Sequence, residues 1–532
     1  MSVGKDEAAA PPFRRVLIAN RGEIAVRILR ACRDLRMEAV SVYSDADADA
    51  PWVVEADAAV RLGPAPAPES YLRGEAIVRA ALDTASEAIH PGYGFLSERA
   101  AFAATVEDAG LVFVGPPSTA IAALGDKLAA RRTAAAAGVP VVPGSMEALP
   151  ATAASDVEQV LVQADEIGFP LLVKAAAGGG GRGMRRVQDR TELVPALAAG
   201  ASEAASAFGD GRVYLERELR PARHIEVQLL GDAAGEVIAI GERDCSIQRR
   251  HQKLVEEAPA PGLAPGQRAE LFELAVRAAK AAGLRNAATA EFLRDEEGRF
   301  WFLEVNARLQ VEHGVTELVT GLDLVREQFQ LAARRPLSPE AHAAAIAAVA
   351  PTRHAIEVRL SAEDPARAFV PAPGTIGRWR MPAGPGIRVD TALTAGARVP
   401  PDYDPLIAKV IADAEDRTRA IARLARGLAE IEVTGIQTTL PFHLAIVREP
   451  AFVAGELSTD FVVDHWDGPA RRAAACPSAS WAAARAVAGG RDGDGPSGGS
   501  PASVRKDTAP SSAWRASARE DPTDRWPRRS SP

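Results

Sequence analysis

The chain has 532 residues, a length that accommodates about three domains of usual size. Its composition, 47% hydrophobic and 25% charged, matches a soluble globular protein that is able to bury a core. The net charge of −8 gives no reason to invoke nucleic acid as a partner.

Membrane spans, targeting signals and disulfides are not indicated by the sequence. No apolar run reaches the roughly 18 residues that a membrane span needs. The first residues carry Lys5, Asp6 and Glu7 with no apolar stretch, so neither a secretory nor a transit peptide is predicted. The three cysteines are widely spaced, which argues against a disulfide framework or a cysteine zinc site. We therefore expect a cytoplasmic protein that binds neither nucleic acid nor membrane.

The N-terminal segment alternates strands and helices. The pattern predicts strands over 15–20, 38–43 and 88–90 and a helix over 21–30. Such alternation indicates a parallel α/β sheet with functional loops at the carboxyl ends of the strands. The loop after the first strand lacks the GxGxxG pattern, so no nicotinamide site is predicted there. The loop that carries Tyr93 is rich in turn residues and is either a tight crossover or a functional loop.

A strand over 169–174 ends in Lys174 and precedes a glycine-rich run at 178–183. Glycines let backbone amides approach phosphate oxygens and let a loop close as a lid. A linker has the same composition, but a run that lies between this strand and another strand starting at Met184 favours a phosphate lid. The run is not the GxxxxGK[ST] loop, which excludes the usual P-loop fold.

Two further segments suit an anionic nucleotide, and each has an ordinary alternative. Residues 213–219 predict a strand where backbone groups and Glu216 suit a nucleotide base, although a plain edge strand looks the same. Residues 243–253 hold several cationic groups, which suit a triphosphate or a carboxylated phosphate; a solvated face is the alternative. Cys245 within this run is interpreted as a packing cysteine, because no base is dedicated to it.

The most informative segment is 304–312, where polar and apolar residues alternate with the period of an extended strand. A two-residue turn at 297–298 would place Glu291 directly opposite Glu304 in a hairpin. Like charges in that position repel each other and call for a cation. With the Asn306 oxygen they suit Mg²⁺ or Mn²⁺ holding phosphates. A solvated polar face is the alternative.

The remainder of the chain divides at about residue 470. Residues 353–360 begin a strand-rich segment that extends to about 465. Residues 471–532 contain 11 Lys and Arg against 6 Asp and Glu, with few aliphatic residues, so a disordered tail is predicted over 470–532. Together, the lysine, the glycine lid, the cationic run and the paired acids predict a site for nucleotide-triphosphate chemistry.

Segments along the chain resemble the ATP-grasp superfamily, and more narrowly the biotin carboxylase subunit or domain of acetyl-CoA or propionyl-CoA carboxylase. The resemblance extends from residue 13 to about 465 and rests on segments in the family's order: 18–25, 90–98, 125–127, 178–184, 242–253, 304–313, 362–365 and 403–409. It implies an α/β fold (α+β overall) with three domains. These are a Rossmann-like N-terminal domain over 13–125, an ATP-grasp domain over 126–340 with a mobile lid subdomain at about 142–215, and a mixed β domain over 345–465.

The resemblance also implies roles for individual residues. ATP would be contacted by Lys127, Lys174, Gly180, Gly181, Met184, Glu216, Arg217, Leu219, His224, Gln248, His251, Glu291 and Glu304. Two divalent ions, Mg²⁺ or Mn²⁺, would be held by Glu291, Glu304 and Asn306. Bicarbonate would be bound by Lys253, Arg308, Gln310 and the Val311 amide, with Glu312 as its base. Arg359 would stabilise the enolate form of biotin, and Tyr93 would line the biotin approach; the catalytic residues would be Lys253, Arg308, Glu312 and Arg359.

Four positions depart from the family pattern. Gly314 stands in place of a proline and is expected to loosen the backbone just beyond the base. Ala288 replaces a glycine, Arg217 replaces a lysine, and Ala177 shortens the glycine run by one residue.

The sequence contains no Ala-Met-Lys-Met attachment motif, so biotin is not expected to be attached to this chain. It would arrive on a separate biotin carboxyl carrier protein, unless a carrier domain was lost after residue 465. Carboxyltransferase subunits and a homodimer are the other partners that the resemblance implies.

Two other functions compete with that of a biotin carboxylase. Another ATP-grasp ligase would have no need of Arg359 or of the cationic run, and a non-catalytic regulatory subunit would be expected to lose at least one of the catalytic residues that are intact here.

Overall fold

A computed structural model describes residues 10–149, 154–177 and 184–474 of the chain. The first part, up to residue 125, is a five-stranded sheet in the order β3-β2-β1-β4-β5, with every pair parallel. Its strands are β1 Arg15–Ile18, β2 Glu38–Ser44, β3 Ala58–Gly63, β4 Ala88–His90 and β5 Val112–Phe113. Its helices are α1 Gly22–Asp34, α2 Pro51–Val54, α3 Gly74–Asp83, α4 Ala100–Asp108 and α5 Ser118–Gly125. The predicted Rossmann-like parallel sheet is confirmed.

A small antiparallel sheet with the order β7-β6-β8 forms a separate layer. Its strands are β6 Leu171–Ala175, β7 Arg185–Val187 and β8 Val213–Arg217, and the helices of this region are α6 Lys127–Ala136, α7 Ala154–Ile167 and α8 Arg190–Phe208. It has a core of its own, in which Leu171, Val173 and Leu215 are fully buried. The strand pattern predicted around Lys174 and at 213–219 is therefore confirmed, and β8 lies at an edge of this sheet.

An antiparallel sheet of eight strands dominates the rest of the molecule, in the order β13-β12-β9-β10-β11-β14-β21-β19. Five of its strands precede residue 345 in the chain: β9 Arg223–Gly231, β10 Val237–Arg249, β11 Gln252–Ala258, β12 Asn286–Arg294 and β13 Phe300–Asn306. They are accompanied by α9 Pro265–Ala281, α10 His313–Thr320, α11 Leu324–Ala332 and α12 Pro339–Ala348.

The other three strands of this sheet, β14, β21 and β19, come from the C-terminal segment. The strands of that segment are β14 His354–Ser361, β15 Glu363–Asp364, β16 Val370–Pro371, β17 Gly374–Thr375, β18 Trp379–Arg380, β19 Ile387–Thr391, β20 Arg398–Val399, β21 Leu406–Ala414 and β22 Glu432–Val433. Its helices are α13 Arg417–Glu430, α14 Leu440–Ile446, α15 Pro450–Ala454 and α16 Phe461–His465. β14 pairs directly with β11, so one continuous sheet crosses the expected domain boundary near residue 345.

The hairpin of β12 and β13 has the predicted register but not the predicted turn. Glu291 lies directly opposite Glu304. The turn encloses 296–298, one residue more than expected. Leu303 forms a β-bulge in β13, because the pairing shifts between Glu291 and the next residue of β12. The longer turn and the bulge offset each other, which restores the predicted pairing.

The expectation of an extended strand from 304 to 312 is wrong beyond Asn306. β13 ends at Asn306, and 307–312 form an irregular loop that leads into α10. Glu312 is the N-cap residue of that helix, with φ −82° and ψ 13°, which is no longer extended backbone. Leu309 is fully buried in the core, but so is Glu312, so burial in this loop does not follow the alternation of polar and apolar residues.

The prediction of a disordered tail from residue 470 is wrong for 470–474. Residues 468–474 are helical. Arg472 makes an ion pair of 3.0 Å with Asp364, and Arg471 one of 3.1 Å with Glu449. The prediction for 475–532 lies outside the described residues.

None of the helices within the described residues is long and apolar enough to span a bilayer.

Candidate active site

Glu312 lies within a cluster of buried charged side chains. Its side chain is fully buried and is placed by the first turn of α10. One carboxylate oxygen is 2.6 Å from Lys253 Nζ, and the other is 2.9 Å from Arg359 Nη2. Burial by itself would raise the pKa of Glu312, but the charges of Lys253 and then Arg359 hold that pKa well below its ordinary value. The group is therefore an ionised carboxylate, able to accept a proton.

Lys253 joins three carboxylates at one point. It contacts Glu226, lies 3.1 Å from Glu291 and 2.6 Å from Glu312. Behind it, the fully buried Arg243 also pairs with Glu226. Two of the five cationic groups predicted in 243–253 are therefore neither on a solvated face nor at a free anion site, because buried acids match them. The solvated-face alternative is excluded for Arg243 and Lys253.

Arg308, Gln310 and Asn306 form a connected polar set beside Glu291. Arg308 donates to the Gln310 side-chain oxygen at 2.8 Å and to the Asn306 oxygen at 2.9 Å. Gln310 Nε2 donates to Glu291 at 3.3 Å. The residues predicted for bicarbonate are thus brought together, although by a loop rather than by one face of a strand. The other edge of the Arg308 guanidinium, through Nε, holds Glu98 at 2.8 Å.

The two paired acids are each matched by a cation of the chain. Lys127 Nζ is 2.6 Å from Glu304, and His224 Nε2 is 3.0 Å from Glu291. The amide nitrogen of Asn306 donates to Glu291 at 3.0 Å, and its amide oxygen accepts a hydrogen bond from Arg308. The predicted convergence of the Asn306 oxygen on the two carboxylates is therefore not the arrangement seen. Each carboxylate can nevertheless offer an oxygen to a divalent cation, because Glu291 and Glu304 lie directly opposite each other in a β-pair. The ion would take the place of their contacts with Lys127 and His224.

The predicted nucleotide edge is organised around Glu216. Its buried carboxylate is 2.6 Å from Lys174 Nζ and 2.8 Å from Arg131 Nη1. Because both oxygens are engaged, the side chain of Glu216 is not available to bind a base. The backbone groups at the end of β8 are the part of this edge that could still do so. Leu219 follows the end of this strand and is half-buried, and Arg217 is exposed at its last position.

His251 lies in the turn between β10 and β11 and is surrounded by cations. Burial, followed by the charges of Lys174 and His224, lowers the pKa of His251. Arg250 and His251 have φ values of 48° and 64°, in the left-handed region that costs a non-glycine residue about 1–2 kcal/mol. Gln248 lies opposite Lys253 in the same hairpin. Arg250 and Lys174 supply positive charge beside the neutral imidazole of His251, and such a lining suits a polyphosphate.

Three predicted lid residues have different outcomes. Met184 precedes β7 and is half-buried. Gly180 and Gly181 lie outside the described residues.

Tyr93 is tied to the N-terminal helix through its hydroxyl. Its hydroxyl donates to Glu23. Glu23 is also 3.1 Å from the buried Lys409 Nζ, which donates to the Val311 carbonyl at 2.7 Å. The loop that ends in Glu312 is therefore held through Lys409 to α1 and Tyr93.

Cys245 has the environment of a packing residue, as interpreted from the sequence. It is fully buried, and burial raises the pKa of its thiol well above the ordinary value, with the charge of Glu226 acting in the same direction. A thiol with so high a pKa is not a nucleophile at neutral pH.

Several residues of this cluster were not predicted from the sequence. Glu226 follows His224 by two residues on β9, so the period of the strand could have placed both on one face. Arg131, Lys409, Glu23 and Glu256 carry no such signal, because their partners are far away in the chain.

Both the sequence and the fold are similar to those of known proteins. Three family models match: "Biotin carboxylase, N-terminal domain" over 12–121, "Carbamoyl-phosphate synthase L chain, ATP binding domain" over 126–340 and "Biotin carboxylase C-terminal domain" over 357–464. Biotin carboxylase 1 of Bacillus subtilis is 47% identical over 451 residues, which cover 85% of this chain and 98% of the relative. A pyruvate carboxylase subunit from Methanothermobacter thermautotrophicus is 46% identical over 457 residues, covering 86% of this chain and 91% of the relative.

Among solved structures, the biotin carboxylase domain dimer of Hydrogenobacter thermophilus 2-oxoglutarate carboxylase is similar. That structure is a complex with MgADP, ADP and bicarbonate. It superposes with a TM-score of 0.81 at 43% identity, covering 85% of this chain and 98% of that chain.

Proposed function

The chain belongs to the biotin carboxylase family, and from that membership we propose that it carboxylates biotin in a reaction that consumes ATP and bicarbonate. The observation that carries the proposal is the place of Glu312, an ionised carboxylate with no exposed surface between Lys253 and Arg359. A general base needs a fixed position and a proton acceptor in the ionised form, and both are present. The biotin substrate is attached to a separate carrier protein.

The first step is attack by bicarbonate on the γ-phosphate of ATP. Bicarbonate is a weak nucleophile, so Glu312 removes its proton as the new O–P bond forms and ADP leaves. Arg308 offers a planar fork that matches the bicarbonate oxygens, with Gln310 and the Val311 amide as further donors. Lys253 neutralises the charge of the carboxyphosphate that results.

ATP is held on the cationic side of the site. Lys127, Lys174 and His251 are proposed to contact the phosphates, and backbone groups at the end of β8 are proposed to contact the base. A divalent cation bound by Glu291, Glu304 and Asn306 would neutralise phosphate charge; two such ions, Mg²⁺ or Mn²⁺, are proposed. Glycines 180 and 181 complete the proposed phosphate contacts.

The second step uses Arg359. Carboxyphosphate breaks down to CO₂ and phosphate, and the phosphate takes the ureido proton of biotin. The negative charge that develops on the biotin oxygen is met by the Arg359 guanidinium, and the deprotonated ureido nitrogen attacks CO₂ to form the N–C bond of carboxybiotin. Removing one such donor typically costs about 3–4 kcal/mol of transition-state stabilisation. The ring of Tyr93, whose hydroxyl is held by Glu23, is proposed to line the approach of biotin.

The proposed assembly contains more than this chain. A carrier protein brings biotin, carboxyltransferase subunits use the carboxylated product, and two copies of this chain form a homodimer, as in the dimeric domain from Hydrogenobacter thermophilus. We propose three functional units, over 13–125, 126–340 and 345–465. For the final acceptor we propose an acyl-CoA, acetyl-CoA or propionyl-CoA, although pyruvate carboxylase is represented among the relatives.

The test is bicarbonate-dependent ATP hydrolysis by the purified chain in Mg²⁺, with and without free biotin, and with a bicarbonate-free control. Stimulation by biotin is the expected result. Hydrolysis that responds to bicarbonate but not to biotin would point to another ATP-grasp ligase. Nucleotide binding without any hydrolysis would point to a regulatory subunit.

The acceptor is tested separately by reconstitution with a carrier protein and candidate carboxyltransferases. Transfer of labelled carboxylate to acetyl-CoA or propionyl-CoA would support the acyl-CoA assignment. Transfer to pyruvate alone would overturn it.

A further inference from the structure

Arg359 is held between two carboxylates, and the proposed mechanism uses only one of them. Its Nη2 is 2.9 Å from Glu312, the proposed base, and its Nε is 2.6 Å from Glu256 on β11. Glu256 has no exposed surface, and its Oε1 accepts the hydrogen bond from Arg359 Nε. It is separated from Arg359 by 103 positions in the sequence.

The backbone of Arg359 is fixed independently of these two contacts. Its carbonyl accepts hydrogen bonds from Thr439 Oγ1 at 2.9 Å and from His443 Nε2 at 2.7 Å. The strand position is therefore set by the packing of α14 and the residues before it. What the two carboxylates decide is the direction in which the guanidinium points.

The two carboxylates differ in what happens to them during the reaction. Glu312 gains a proton when bicarbonate attacks, so its negative charge disappears just before the biotin oxyanion forms. An arginine anchored by Glu312 alone would lose its partner at that moment. Glu256 takes no part in the chemistry and keeps its contact with Nε.

From this geometry we propose that Glu256 is a positioning residue that holds Arg359 by its Nε edge, so that protonation of Glu312 releases the Nη2 edge to the biotin oxyanion. The proposal rests on the proposed function and deepens it, because it links the bicarbonate step to the biotin step. The proton that Glu312 accepts removes the charge that competes with the oxyanion for Arg359.

Electrostatic coupling between the two carboxylates acts in the same direction. The pKa of Glu256 is raised to about 7, chiefly by burial. The charge of Arg359 acts against this rise, and the charge of Glu312 adds to it. When Glu312 becomes neutral, the pKa of Glu256 falls, because one of the causes that raised it is gone. Glu256 then holds Arg359 as a full ion pair when that arginine is needed.

The chain offers a matched control in Glu357. It lies directly opposite Glu256 in the β11–β14 pair and has no exposed surface. Neither of its oxygens has a hydrogen-bond partner among the described residues. Burial raises the pKa of Glu357 well above its ordinary value, so glutamine is close to an isosteric replacement for it.

The experiment compares wild type, Glu256→Gln, Glu256→Asp and Glu357→Gln in two assays. One is bicarbonate-dependent ATP hydrolysis without biotin; the other is the rate stimulated by free biotin. Glu256→Gln is expected to lower the biotin-stimulated kcat by about ten- to a hundredfold, with an unchanged KM for ATP and an unchanged rate without biotin. Glu256→Asp keeps the charge and should recover part of the loss, and Glu357→Gln should behave as wild type.

The outcomes separate the proposal from the function on which it rests. Wild-type hydrolysis that biotin does not stimulate overturns the proposed function. Normal stimulation of both wild type and Glu256→Gln overturns the role of Glu256 alone. An equal loss in both assays, or failure of both Glu256 variants to fold, would show that Glu256 is a structural residue and would overturn the proposal as well.

Discussion

The replacement of the family's proline by Gly314 has a specific physical consequence that can be tested. Gly314 is buried in the first turn of α10, two residues after Glu312. Its φ is not among the positive values of the chain, so the position needs no glycine for its backbone. A Cβ at this point would lie 2.4 Å from Ile411 Cδ1. The role of Gly314 is therefore to leave space rather than to loosen the backbone. Ile411 occupies the volume that a side chain at position 314 would need.

The magnitude follows from that distance. Ile411 has no exposed surface and packs against Val315 and Ala355, so its Cδ1 would have to move by about 1 Å to reach ordinary contact. Overpacking of this kind costs about 1–3 kcal/mol, whereas Gly→Ala in a helix contributes about 1 kcal/mol of stability. Ile411→Val removes the clashing methyl group at a cost of about 0.5–1.5 kcal/mol.

We expect Gly314→Ala and Ile411→Val to be non-additive. The coupling should stabilise the double variant by about 1–3 kcal/mol relative to the sum of the single changes. Urea unfolding of the four proteins measures it, provided that the m-values agree. Biotin-stimulated turnover should fall in Gly314→Ala and recover in the double variant, because relief of the clash lets Glu312 return to its position.

Gly266 provides the matched control. It occupies the same second position in α9, and a Cβ there meets nothing within 4 Å. Gly266→Ala should stabilise the protein by about 0.5–1 kcal/mol with or without Ile411→Val. Strict additivity of the Gly314 and Ile411 changes would refute the packing argument.

Three further predictions address the base, a buried acid and the tail. Glu312→Gln should keep ATP affinity and lower bicarbonate-dependent turnover by about 10²–10⁴-fold; unchanged turnover in a steady-state assay would remove Glu312 from the mechanism. Burial raises the pKa of Glu363 to about 7, above the value of about 4.3 in an unfolded chain. Its stabilising effect is therefore complete below pH 4.3 and is lost as the pH rises through 7, so Glu363→Gln should raise Tm at pH 8 but not at pH 4.5; equal shifts at both values would contradict this. Deletion of 475–532 should leave turnover with free biotin unchanged, whereas a cut before Arg471 should lower Tm, because it also removes the ion pair between Arg472 and Asp364.

The hairpin of β12 and β13 shows how much of the site could be predicted from the sequence. Alternation and turn residues sufficed to place Glu291 opposite Glu304. The turn length was wrong, and so was the assumption of a regular strand; the two errors offset each other through the bulge at Leu303. A bulge depends on packing against neighbouring strands, and no local pattern in the sequence announces it.

The loop 307–312 illustrates a different limit. Its period-two pattern predicted a strand, yet the backbone turns into α10. Arg308 and Gln310 still meet beside Glu291, because Leu309 between them is anchored in the core. The alternation predicted the burial of Ala307 and Leu309, but Gln310 and Glu312 are buried as well and Val311 is only half-buried.

Single acids within apolar strands could not be assigned from the sequence. Glu226, Glu256 and Glu357 each stand in a strand that reads as ordinary β-structure. Their significance depends on which strands become neighbours, and the pairing of β11 with β14 joins residues about a hundred positions apart. Such pairings are set by the whole fold.

Buried ion pairs connect the proposed base to all three parts of the chain. Glu317 on α10 is 2.8 Å from Arg27 on α1 and 2.7 Å from Arg388 on β19. Lys409 on β21 joins Glu23 on α1 to the backbone just before Glu312. Replacing such pairs by apolar residues is often neutral or stabilising, so stability alone does not account for them. They do specify position, because a buried charge is tolerated only where its partner lies. The helix that presents Glu312 is thereby held in one place relative to the N-terminal helix and the C-terminal strands, and the geometry of the base is a property of the complete fold.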